Sequence, residues 1–130
     1  MKQIINPDNA PKPVGHYSQC VKASGSQFVF IAGQVAVNEQ GQLVGKGDIE
    51  AQTTQVLKNI ETIVRAAGGT MNDIVQTVTY DTDIEKHVVG MRKVRDQFFS
   101  PNYPAGAKVE VKRLADPDYL LEITAIAVID

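Results

Sequence analysis

The chain has 130 residues, a formal net charge of −2, 43% hydrophobic and 22% charged residues, a balance that excludes disordered and membrane-embedded classes and predicts one domain over residues 1–130. Basic residues are scattered from Lys2 to Arg113 without forming a block, so nucleic acid is not expected as the main partner. Cys20 is the only cysteine; it excludes an intrachain disulfide and a cysteine-built zinc site, and it fits a reducing, cytoplasmic compartment.

The first residues, MKQIINPDNAPKP, reach prolines before any apolar stretch accumulates, and no later window is apolar enough to cross a membrane. Neither export nor membrane insertion is expected. Cys20 falls in a strand-like segment and reads as a small buried hydrophobe. Residues from about Gln27 to Asn38, with FVFIAGQVAVN at their heart, predict a strand. Gly33 inside it marks either a bulge, the favoured reading, or a place where a ligand or another backbone approaches.

Asp48 as N-cap and Glu50 in the first turn open a helix whose Val56, Leu57, Ile60, Ile63, Val64 and Ala67 recur at three-to-four spacing until Gly68 and Gly69 end it. A strand over 74–80 follows. A second helix is predicted from near Asp83 to Phe99, with Ile84, Val88, Met91 and Phe98 inward and Pro101 and Pro104 closing it. Two strands end the chain. In AGAKVEVKRL, Val109 and Val111 alternate with Gly106, Lys108, Glu110 and Lys112; in LLEITAIAVI both faces are largely apolar. Segregated helices beside these strands give an α+β sheet. Two helices cover one sheet face, so the second apolar face is expected to meet identical subunits, a natural addition for so short a chain.

Five segments in order, GHYSQCV, FIAGQVAVN, GDIEAQTTQVLKNIETIVRAAGGTMNDIV, TVTYDTDIEKHVVGMRKVRDQFF and LEITAIA, resemble the RidA/YjgF family. The resemblance implies a chorismate-mutase-like mixed sheet with two helices on one face, assembled as a homotrimer. It also implies an intersubunit cleft in which 2-imino or enamine acids are hydrolysed to keto acids and ammonia, with no metal or cofactor. In such a site an arginine forks onto the substrate carboxylate, a glutamate handles water and a tyrosine closes the pocket.

Carried over by position, Tyr17 matches the tyrosine, Gly33 and Gln34 the segment whose backbone approaches the ligand, and Glu122 the glutamate. Four positions depart from the pattern. His16 stands for a proline, Ala32 for a serine, Gly106 for the arginine, and Met91 for an asparagine of the second helix. Lys108, two residues beyond Gly106 on the same strand face, is a candidate replacement anchor, against the plainer reading of a lysine paired with Glu110 or a neighbouring carboxylate. Glu122, set between Leu121 and Ile123, is expected to be functional, with an ion pair to Lys108 or Lys112 across a sheet or subunit boundary as the alternative. Tyr17 is equally a packing tyrosine. His87 reads as a satisfied packing histidine.

The expected sites are thus Glu122 and Tyr17 for catalysis and Gly33, Gln34, Gly106 and Lys108 for binding. The expected partners are a small carboxylate-type metabolite and further copies of the chain. C=N hydrolysis is the first functional reading, a non-catalytic metabolite-binding trimer the second, and RNA cleavage the least supported.

Overall fold

The computed structural model describes every residue from Met1 to Asp130. Strands β1 (Lys2–Ile5) and β2 (Cys20–Ala23) form a small antiparallel ribbon. The main sheet contains β3 (Gln27–Gln34), β4 (Ile74–Asp81), β5 (Ala105–Glu110) and β6 (Leu121–Ile129), in spatial order β3-β6-β4-β5. β6 runs antiparallel to both neighbours, whereas β4 and β5 are parallel. Helix α1 spans Ile49–Ala66 and α2 spans Ile84–Phe99. Because parallel neighbours need a crossover, α2 is the connection between β4 and β5. The architecture is α+β, as the sequence pattern predicts, with the mixed sheet that the family resemblance implies.

Local chemistry sets the helix limits. The Asp48 carboxylate accepts from Ala51 N at 3.0 Å, and Gly68 takes φ +94° just beyond the last turn, a left-handed conformation that glycine adopts without a Cβ penalty. Asp83 starts α2 in the same way, accepting from Lys86 N at 3.1 Å. The apolar stripe of α1 (Val56, Leu57, Ile60, Val64) is completely buried and meets Ile74, Leu121, Ile123 and Ala127 from the sheet. Both helices lie on that one face.

The opposite face is uncovered. Phe28 and Phe30 stand 65% and 74% exposed there, and by strand alternation they share it with Val78, Tyr80, Val109, Glu122, Thr124, Ile126 and Val128. Several expectations need correction. β1 was not foreseen, β3 stops at Gln34, and β5 stops at Glu110. Cys20 is exposed, because Val21 and Ala23 take the inner side of a ribbon whose alternation turns Cys20 and Lys22 outward. On β5 the half-buried side is that of Lys108, while Val109 faces the open side, 43% exposed.

Candidate functional site

A cavity of about 490 Å³ opens on the helix side of the sheet beside its β5 edge. Its floor follows from strand register. Thr77 and Thr79 of β4 lie opposite Gly106 and Lys108 of β5, and all four share the face below α2. Its wall is one stripe of α2 bearing Ile84, Val88, Arg92 and Arg95, separations of four, four and three residues that align side chains along a helix. Val14, Gly15, His16 and Tyr17 form the rim. That rim is tied to β5: Ser18 N donates to Pro104 O at 3.1 Å, Ser18 Oγ donates to Tyr103 O, and Ser18 bridges to Ala105. His16 stacks on Tyr103 with centroids 5.2 Å apart and brings Nδ1 within 2.9 Å of Asp96.

Three cations face this cavity, and none is within ion-pairing distance of a carboxylate. Arg95 is only 7% exposed; its guanidinium has one long contact, 3.5 Å to Thr77 Oγ1, and lies 5.2 Å from the Phe99 ring centroid. Burial lowers its pKa to about 10, against the opposing charges of Tyr103 and Asp96. Lys108 is lowered as well, first by burial, with Asp81 opposing and Arg95 and Arg92 adding to the effect; its Nζ rests 3.6 Å from Met91 Sδ. Arg92 fits beside the rim because Gly15 lacks a side chain: a Cβ there would lie 3.2 Å from the guanidinium.

Thr77 Oγ1 touches two places at once. It meets Arg95, and it lies 3.3 Å from where a Cβ on Gly106 would stand. The guanidinium of Arg95 therefore comes from α2 to the neighbourhood that a side chain at position 106 would otherwise enter.

Glu122 and Gly33 form a second constellation on the uncovered face. A Cβ on Gly33 would stand 2.7 Å from Glu122 Cδ, and the β3–β6 register breaks between Ile31 and Gln34. Bulge and close approach thus coexist, and the approaching group is this chain's own carboxylate. Glu122 is half-buried and opposite Tyr80, and Gln34 Nε2 donates to Ala32 O at 3.0 Å.

Tyr17, Gly106 and Lys108 are thus brought together, as are Gly33, Gln34 and Glu122, but the sheet separates the two groups within one chain. Tyr17 is not packed in the core; it is half-exposed, and its hydroxyl accepts from Val14 N at 3.4 Å. Within the chain neither Lys108 nor Glu122 makes an ion pair. Glu110 instead accepts from Ile84 N at 2.9 Å, which spends its charge on the start of α2. His87 has its expected packing role, buried with Nδ1 2.6 Å from Asp81 Oδ1. Arg92 and Arg95 were missed by the sequence reading; the signal was their place on the same stripe as Ile84 and Val88.

A mixed sheet with both helices on one side, a cationic pocket at one edge and an acid on the bare face define the α+β class of this chain. Residues 7–129 match the family described as Endoribonuclease L-PSP. The chain is 44% identical over 127 residues to a RutC family protein of Pyrococcus horikoshii, covering 98% of both. A Rid-family protein of unknown function from Yersinia pestis superposes with TM-score 0.90 at 33% identity, covering 98% of each chain. RidA from an Antarctic Psychrobacter gives TM-score 0.72 at 37% identity, covering 98% of this chain and 99% of that one. The chain belongs to this family, the Rid/YjgF proteins. No helix is long and apolar enough to cross a membrane.

Proposed function

We propose that the protein is a homo-oligomeric imine or enamine deaminase, a trimer by family resemblance, which hydrolyses the C=N bond of a small acid in a cleft between subunits. The observation that carries this reading is Arg95, a buried, unpaired guanidinium beside Gly106. It offers the fork for a substrate carboxylate that position 106 itself lacks.

The reaction needs an acid–base group and a bound water. Glu122 as carboxylate takes a proton from water while the oxygen adds to the imine carbon and the C=N electron pair moves to nitrogen. The same carboxyl returns that proton to nitrogen, which gives a carbinolamine. The carboxylate then takes the carbinolamine hydroxyl proton as C=O forms and hands it to the departing nitrogen as the C–N bond breaks, so that keto acid and ammonia leave. Tyr17 borders the pocket and restricts water. Because Glu122 and the cations lie on opposite faces of one sheet, the reading places them together only when the bare face of one copy meets the β5 edge of another.

The test generates an imino acid in situ with an amino-acid oxidase and follows ammonia release over the uncatalysed background. Acceleration by the parent and its loss in Glu122→Gln are expected; equal rates with and without protein would overturn the proposal. A second reading, a ligand-binding oligomer without turnover, draws on Gly106 and Met91 standing where the family's arginine and asparagine are expected. For that reading, keto acids raise the melting temperature and are not consumed.

A further inference from the structure

We infer that the pocket selects substrates carrying two anionic groups, a carboxylate beside the reacting carbon and a second carboxylate or phosphate ester; this rests on the deaminase reading above. A monocarboxylic imino acid needs one cationic anchor. Here the cavity presents three cations, Arg92, Arg95 and Lys108, and no carboxylate lines it. Even if the Glu122 of a neighbouring copy enters the cleft, the pocket keeps two positive charges in excess.

The three differ in a way that divides the work. Arg95 is buried, held between the Phe99 ring and Thr77, and has no ion-pair partner in the chain; Asp96 and Tyr103 offset the cost of its burial only in part. Burying an unpaired charge is unfavourable, and a bidentate anion offsets it. Arg95 is therefore the fixed anchor. Arg92 is exposed at the mouth against Gly15, and Lys108 sits across the floor two residues beyond Gly106. Both reach inward from separate elements, one from α2 and one from β5, so an anion placed on Arg95 leaves both unneutralised. The empty position at Gly106 adds room: the cavity of about 490 Å³ exceeds what a three-carbon acid fills.

Calorimetry with the full-length protein compares oxaloacetate, phosphoenolpyruvate and pyruvate at fixed ionic strength. Oxaloacetate or phosphoenolpyruvate is expected to bind at least about tenfold more tightly than pyruvate, the step for one further charge-assisted contact. Whichever of the two is tighter identifies the second group as carboxylate or phosphate. Arg92→Gln and Lys108→Met are expected to remove most of that advantage, read as the ratio of dianion to pyruvate affinity in each variant. Arg92 is exposed, so its variant folds whatever Lys108→Met does. Equal affinity for all three ligands, or an advantage unchanged in both variants, overturns the inference. The parent protein separates the two claims: dianion binding without any turnover by the parent sinks the deaminase reading alone, whereas turnover of monocarboxylic imines with no dianion preference sinks this one alone.

Discussion

At Gly33 the chain leaves no space for even one methyl group, because a Cβ would stand 2.7 Å from Glu122 Cδ. Gly33→Ala must therefore push the Glu122 side chain aside. That side chain is only half-buried and has somewhere to go, so the cost in stability is modest, about 1 kcal/mol, while the carboxylate loses its position for water. The variant is expected to keep a melting temperature within a few degrees of the parent and to lose at least about tenfold in kcat. Equal kcat would separate Glu122 from the chemistry. Charge at the other half of the site obeys a different rule. Arg95, with a pKa of about 10, and Lys108, lowered from 10.5, are bases whose folded-state pKa lies below the unfolded value. The unfolded chain holds their protons more tightly, so their cost to stability is present at neutral pH and is relieved as pH rises through the folded pKa. Anion binding has the opposite trend. It needs the charged forms, so affinity for a dianion is expected to stay level through neutral pH and fall as pH approaches 10. Titrating affinity by calorimetry from neutral pH upward checks this; an affinity that already falls away near neutral pH would overturn it.

Helix α1 shows what a sequence discloses well. Asp48, the three-to-four spacing of its apolar residues and the two glycines after it each limit the backbone by local chemistry, and the helix runs where they say. Its Leu57 is completely buried in the core, so Leu57→Ala is expected to lower the free energy of unfolding by about 2–5 kcal/mol, read from denaturant midpoints. Asp48→Ala, which removes only the bond to Ala51 N, costs about 1 kcal/mol. A larger loss from the cap than from the core would contradict the packing described. Strand β5 shows the limit of the same approach. Alternation told which residues share a face but not which face turns inward, since that depends on the register with β4 and on α2 above it. Lys108 accordingly shares the inner face with Gly106, as alternation predicts, and makes no ion pair within the chain. Arg92 and Arg95 escaped notice because a search for apolar periodicity passes over charged residues, even where they continue an apolar stripe. β1 escaped it because four residues pairing with a distant β2 carry no local mark.

For the whole molecule the decisive matter is that Glu122 and the cationic pocket cannot meet inside one chain, since β4 and β6 carry them to opposite faces of one sheet. The bare face with Phe28 and Phe30 is the apolar surface that self-association would cover. If each site takes its acid from one copy and its cations from the next, two inactive variants rescue one another. Glu122→Gln and Arg95→Met, each inactive alone, are expected to recover activity when co-expressed with distinct tags and purified as mixed oligomers. In randomly mixed closed rings, one chain in two carries an intact acid and one neighbour in two an intact anchor, so about a quarter of the sites are whole. Ammonia release from the mixed species is therefore expected at about a quarter of the parent rate. A site confined to one chain gives none, because every copy then bears one broken half. A Glu122→Gln oligomer combined with wild-type chains supplies the control, since there half of the sites stay complete under either arrangement and the activity reports only that mixing occurred. Absence of rescue in mixed oligomers that pass this control would place acid and anchor in the same subunit and refute the shared cleft.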